Sequence, residues 1–231
     1  MTERSQPRTI LLDTPEGQAR AHVYAGAPQG VNGGSVILGH GAGPSITTVD
    51  LVSAREALVD AGWTVAIVEQ PWLVAGKKIA SRPPVLDSAW LPIMRELRAG
   101  ALTGLHGPVV VGGRSAGARV ACRTAATVEA DGVLALSFPL HPPGKPGSSR
   151  GEELLLPATQ GLPTWVIQGE NDPFGTPEEV AAYLDEHGAA AGERFVRPVL
   201  TAVPGTHTIP GRASAAIAAA VVAGLAALLR R

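Results

Sequence analysis

With a single cysteine, Cys122, the chain can form no intrachain disulfide, and a cysteine-built zinc site is not expected. Charge is sparse as well: 17% of residues are charged and the formal net charge is −1, so electrostatics give no reason to expect a nucleic-acid partner. Aromatic residues are scarce at 4%, which makes any grouping of them informative. The N-terminal stretch Met1 to Arg8 is polar and has no apolar segment of the kind a secretory leader needs, so a cytoplasmic location is expected. One uncharged run is long enough to raise the question of a membrane: Ala213 to Leu229 spans 17 residues, at the lower limit for a bilayer-crossing helix. Nine of those residues are alanine, which insert weakly, so the run reads as a packed C-terminal helix with Arg230 and Arg231 favourable at its dipole end. No membrane partner is expected.

What is present is ordinary globular material. Hydrophobic residues make up 45% of 231, enough for a substantial core in a single domain over 1–231. Short β-branched runs alternate with longer alanine-rich helical stretches, the pattern of an open, mostly parallel sheet with helices on both faces, an α/β fold. Thr9 to Asp13 and Ala19 to Tyr24 read as an opening strand pair. Further strands are expected at Ser35–Gly39, Trp63–Val68, Pro108–Gly112, Gly132–Ser137, Pro163–Gly169 and Phe195–Ala202. Helices are expected at Asp50–Ala61, Val85–Ala99, Ala118–Val128 and Pro177–His187, with Pro92 either kinking the second or marking a late start. Glu69 to Pro84 and Phe138 to Gly151 read as loops, and no stretch has the size of a large cap domain.

The informative feature is Gly113-Arg114-Ser115-Ala116-Gly117, placed directly after the apolar run Pro108-Val109-Val110-Val111-Gly112 and before a helix-forming stretch. A strand running into G-x-S-x-G and then a helix is a nucleophile elbow, in which a sharp turn exposes the serine and small neighbours let strand and helix pass closely. A serine hydroxyl needs a general base, and a histidine base needs a carboxylate to fix its tautomer. In open α/β sheets such partners gather beyond the carboxyl ends of the strands. Asp172 follows one late strand within Gly169-Glu170-Asn171-Asp172-Pro173, with Glu170 as the alternative acid. His207 follows the last strand within Pro204-Gly205-Thr206-His207-Thr208. The chain order is therefore Ser, Asp, His. For an oxyanion hole the expected donors are the amides of Ala116 and of Ala42, with Gly41 as the alternative, in the turn Gly39-His40-Gly41-Ala42-Gly43. The same turn imitates a dinucleotide-binding fingerprint, but Pro44 interrupts it and Ile46 stands where the last glycine belongs.

These pieces, together with Ser137-Phe138-Pro139-Leu140-His141-Pro142-Pro143-Gly144-Lys145 and Gln168-Gly169-Glu170-Asn171-Asp172-Pro173-Phe174, resemble a small α/β-hydrolase of the dienelactone-hydrolase-like kind. The likeness is greatest to the compact group of testis-expressed and histone-acetyltransferase-complex hydrolase-like proteins, and it spans almost all of the chain after residue 35. The resemblance implies Ser115, Asp172 and His207 as a catalytic triad and a serine hydrolase that cleaves a carboxylic ester or thioester of a small molecule. It departs from dienelactone hydrolase itself, whose nucleophile is a cysteine, so that substrate does not carry over. Some relatives serve as complex subunits, so a catalytically silent binding or adaptor protein is the competing expectation. No metal or cofactor is expected, because triad chemistry needs neither, and the oligomeric state is left open.

Around the triad, Trp72, Phe138 and Phe174 fall on loops at the expected catalytic end and suggest an apolar pocket wall. His141 either lines that pocket or pairs within its loop. Arg114 either greets a substrate carboxylate or forms a buried ion pair, with Glu69 as the suggested partner. His40 is expected to steady the oxyanion turn, and Cys122 to face the core and remain inert. Without a cap domain, the site should be shallow and accessible.

Overall fold

The computed structural model describes residues 6–26, 34–188, 190 and 192–226. Strands β1 (Arg8–Thr14), β2 (Gly17–Tyr24), β3 (Ser35–Gly39), β4 (Thr64–Glu69), β5 (Val109–Arg114), β6 (Gly132–Leu136), β7 (Thr164–Gly169) and β8 (Val199–Val203) form one sheet in the order β1-β2-β4-β3-β5-β6-β7-β8. β1 pairs antiparallel with β2 and β2 antiparallel with β4, while every pairing from β4 through β8 is parallel. The parallel strands are covered on both sides, which is why β3, β6 and β7 are buried along their whole length.

Side chains leave the sheet alternately to its two faces, and the two cores follow that alternation. Val36 and Leu38 of β3 join one core with Leu51 and Leu58 of α1 (Val49–Asp60) and Ile217 and Val221 of α7 (Ser214–Ala226). Ile37 joins the other, against Trp90 and Ile93 of α3 (Pro83–Ala99), Ala118 and Ala121 of α4 (Ala116–Thr124), Leu154 of α5 (Gly151–Thr159) and Val180 of α6 (Pro177–Gly188).

Several expected boundaries move. The loop after β4 contains a short helix, α2 (Pro71–Val74), opened by a proline whose missing N–H costs nothing in the first turn. α3 starts two residues earlier than Val85, again on prolines, and runs unbroken past Pro92. An interior proline costs about 3 kcal/mol, but Trp90, Ile93, Met94 and Leu97 of that helix are all buried, each contributing about 1.5–3 kcal/mol. Burial wins. α5 has no counterpart among the expected elements. Gly151 at its start and Pro157 within it carry loop signals, and the helix forms because Leu154 reaches the core and Glu153 binds Arg119 and Arg123 of α4. β8 begins later than expected, at Val199 rather than Phe195. α7 agrees with the C-terminal helix as far as Ala226; Ala227 to Leu229, Arg230 and Arg231 lie outside the described residues. Among the described residues no helix is long and apolar enough to cross a membrane.

Candidate active site

The chain turns sharply where β5 meets α4. Ser115 sits at φ 52° and ψ −107°, a conformation that costs a non-glycine residue about 1–3 kcal/mol and persists only where the surroundings enforce it. They do so through backbone bonds. The Ser115 N–H donates to the Leu136 carbonyl of β6 at 2.9 Å, and the Ser115 carbonyl accepts from Arg119 of α4 at 3.2 Å. The two glycines of the motif are required by the end of β3. A Cβ on Gly113 or on Gly117 would stand 2.3 Å from the Gly39 carbonyl oxygen, well inside contact distance. Only hydrogen fits there, so the elbow can press against β3 and raise the serine at the sheet's carboxyl edge.

The two expected partners arrive from the loops after β7 and β8. Nε2 of His207 lies 3.0 Å from Oγ of Ser115, and Nδ1 lies 2.9 Å and 3.1 Å from the two carboxylate oxygens of Asp172. Asp172 is fully buried, and two further donors hold its carboxylate: the Phe174 backbone N–H at 2.9 Å and Nε2 of Gln168 at 3.0 Å. A carboxylate that accepts from Nδ1–H leaves Nε2 with a free lone pair, which is the tautomer able to take the serine proton. Backbone bonds also tie the two loops to each other, Glu170 N–H to Val203 O and Asn171 N–H to Gly205 O, both at 2.9 Å. Glu170 is exposed, whereas Asp172 carries the contact to His207. The Phe174 ring packs on the His207 imidazole with centroids 4.1 Å apart, fixing the ring plane.

Ala116 opens α4, where a backbone N–H has no acceptor in its own helix and is available to a ligand. Gly41 is buried beside the elbow, close enough that a Cβ there would lie 3.7 Å from the Ser115 Cβ, while Ala42 is exposed next to it. Both loop residues therefore stay available as the second donor. His40 steadies this turn: Nδ1 lies 2.7 Å from the Gly41 carbonyl and Nε2 accepts the Gln70 N–H at 3.1 Å. Because Nε2 must be unprotonated to accept, the ring is neutral, and burial pushes its pKa below the ordinary histidine value.

Other expectations change. Arg114 pairs with Asp50 of α1, Nε to Oδ2 at 3.1 Å, and not with Glu69. Glu69 is taken by Arg20 and His22, which the antiparallel register of β2 places beside it. Arg114 also donates from Nη2 to the His207 carbonyl at 2.7 Å, so two of its guanidinium nitrogens are engaged by the protein itself. Phe138 is completely buried in the core and forms no pocket wall. Trp72 is buried beside His40 and lines a small cavity with Gly41 and Ala116. His141 is buried in a different hollow, with Glu179 and Tyr183, and belongs to its loop rather than to the serine. Cys122 is buried, and that burial, reinforced by the nearby Glu153, pushes its thiol up to about 12, far from any nucleophilic role.

Two participants escaped the sequence reading. Asp50 had no motif around it. Gln168 did leave a trace, as the one amide side chain in the buried strand Thr164-Trp165-Val166-Ile167-Gln168-Gly169, and a polar group in such a strand must have partners. Its Nε2 also reaches the carbonyls of Phe138 and Gly175, which pins the amide that holds Asp172. Among the described residues no group of three or more His, Cys, Asp or Glu side chains is arranged to hold a metal ion.

Residues 32–193 match the family model described as the alpha/beta hydrolase domain. No curated protein matches the chain in sequence. Solved structures do resemble it. XC6422 from Xanthomonas campestris, described as an a/b serine hydrolase without lid, superposes with a TM-score of 0.74 at 20% identity, covering 96% of this chain and 95% of its own. An alpha-beta serine hydrolase homologue from Coxiella burnetii gives 0.74 at 14% identity, over 97% of this chain and 100% of that one. The esterase domain of a Rhodothermus marinus protein gives 0.67 at 12% identity, over 97% and 99%. At these identities the structural likeness speaks for the fold. The sequence match covers more than half of the chain, including the elbow and Asp172, and on that ground the chain belongs to the α/β-hydrolase domain family.

Proposed function

We propose that the protein is a serine hydrolase that cleaves a carboxylic ester or thioester of a small molecule through an acyl-enzyme on Ser115. The observation that carries this reading is the continuous chain of hydrogen bonds from Asp172 through His207 to Ser115 Oγ. His207 takes the hydroxyl proton as Oγ attacks the carbonyl carbon, and Asp172 stabilises the imidazolium that results. Amides of Ala116 and of Ala42 or Gly41 hold the oxyanion. The imidazolium then gives its proton to the departing alkoxide or thiolate, leaving the acyl-enzyme. Water, deprotonated by His207, attacks that ester, and the collapse releases the acid and returns the proton to Ser115. The dienelactone-hydrolase-like motifs of the sequence support the same reading, and the chain is taken as one catalytic domain.

The test is labelling by a fluorophosphonate probe with mass-spectrometric mapping of the modified residue, alongside hydrolysis of acyl esters of graded length. A working nucleophile gives one adduct on Ser115 and turnover that disappears in Ser115→Ala. An active Ser115→Ala variant overturns the acyl-enzyme on Ser115, and an unlabelled serine with no turnover assigns the fold to binding instead.

A further inference from the structure

The strand that leads into Asp172 carries a buried amide at a position where an apolar side chain would pack. Gln168 is 0% exposed and follows the core residues Val166 and Ile167. Its Nε2 lies 2.8 Å from the Gly175 carbonyl, 3.0 Å from Oδ2 of Asp172 and 3.1 Å from the Phe138 carbonyl. An amide nitrogen carries two hydrogens, so three acceptors draw on two donors. Turning the amide over would set its oxygen among three others, so the nitrogen is fixed where it stands. Oε1 is then buried without a hydrogen-bond partner. A stranded acceptor of this kind costs free energy that an apolar side chain of similar shape would avoid. Packing alone gives no reason to keep it.

The Phe138 carbonyl already accepts the Leu140 N–H at 3.1 Å, so the distinctive contacts are those to Asp172 and Gly175. These two residues bracket one turn, closed by the Gly175 N–H donating to the Asp172 carbonyl at 3.0 Å. Gln168 holds Oδ2 of the acid, while the Phe174 N–H holds Oδ1 at 2.9 Å. With each oxygen tied on its own side, the carboxylate is held against rotation, and the plane it offers to Nδ1 of His207 is set. The same turn carries Phe174, whose ring rests on the His207 imidazole. Both groups that aim His207 are therefore anchored on one amide. A carboxylate free to turn would bend the bond from Nδ1–H and swing Nε2 away from the Ser115 hydroxyl. A displacement of about 1 Å at reacting groups can cost about 10²-fold in rate.

We propose that Gln168 is a positioning residue for hydrolysis at Ser115: its amide fixes the carboxylate plane of Asp172 and, through it, the direction of the His207 lone pair. The proposal rests on the serine-hydrolase reading and adds a fourth side chain to the relay.

The test is a double-mutant cycle with p-nitrophenyl acetate, comparing the wild type, Gln168→Met, Asp172→Asn and the double variant. Active sites are counted by fluorophosphonate labelling carried to completion, so unfolded protein does not enter kcat. Gln168→Met alone should lower kcat by about 10- to 100-fold and leave KM within about threefold, because the amide touches the acid and not the substrate. In the Asp172→Asn background the same change should cost less than about threefold more, since there is no carboxylate left to position. Gln168→Asn, which keeps the amide but is one methylene too short to reach, serves as the second variant and should behave like Gln168→Met. A kcat within about threefold of wild type in either variant overturns the proposal. Losses that multiply in the double variant overturn it too, because they assign Gln168 to stability alone. In both cases a labelled Ser115 in the wild type leaves the hydrolase reading standing, whereas an unlabelled and inactive wild type overturns both.

Discussion

Two histidines stand at the carboxyl edge of the same sheet, and their surroundings assign them opposite roles. His40, after β3, is buried and spends both ring nitrogens on backbone groups, the Gly41 carbonyl and the Gln70 N–H. Its proton is locked in place, and burial disfavours a second one. His207, after β8, spends one nitrogen on the Asp172 carboxylate and turns the other to a serine hydroxyl. It has a charge partner for the protonated state and a proton source within 3.0 Å. The difference teaches that a histidine at this edge is equipped to act as a base by what its two nitrogens face, and not by its position after a strand.

The largest expected effect separates the two rings directly. His207→Ala should lower turnover by about 10⁴-fold with little change in stability. His40→Asn should instead cost about 1–3 kcal/mol in urea unfolding, because the Gln70 N–H and Gly41 carbonyl lose their partner, while turnover stays within about tenfold. Equal losses of turnover in the two variants would erase the contrast.

A smaller effect asks what holds His207 in place. Arg114 grips the His207 carbonyl and neutralises the buried Asp50, whose side chain is 3% exposed. Arg114→Met should lower turnover by about 10²-fold through loss of alignment, and stability by about 3–5 kcal/mol through the unpaired Asp50 charge. Adding Asp50→Asn removes that charge and should restore stability without restoring turnover. If turnover returns in the double variant, Arg114 acts only through stability and positions nothing.

The smallest effect is a pH dependence confined to His40. Its pKa in the folded protein lies below the ordinary 6.5, so the unfolded chain binds more protons below that pH. The stability this neutral ring contributes is complete above 6.5 and is lost as pH falls through the folded-state value. Melting temperatures of the wild type and His40→Asn, measured between pH 7.5 and about 5.5, should therefore converge on acidification. A gap that widens would mean that His40 is charged in the fold.

Much of the site was legible in the sequence because its chemistry sits in short segments that immediately follow apolar runs. Ser115, Asp172 and His207 each lie within a few residues of a strand end, and a parallel sheet brings such ends to one edge. The pieces read less well are those that depend on register. Glu69 resembled a partner for Arg114, but the β2–β4 pairing sets Arg20 directly opposite it. Phe138 stood on a loop beside the elbow, yet its ring turns into the core. α5 was hidden because Gly151 and Pro157 are loop-forming by local preference, and only the contacts of Leu154 and Glu153 with the rest of the molecule overturn that preference.

By itself, then, the sequence determined the α/β class, the strand-turn-helix around Ser115 and the chain order of Ser115, Asp172 and His207, since periodicity and turn chemistry act over a few residues. Tertiary structure alone decided that Asp50 anchors Arg114, that Gln168 holds Asp172, and that the Gln70 N–H meets His40. These residues come from distant elements. Their pairing follows from how the helices seat against the sheet, where burial favours a partner for each polar group.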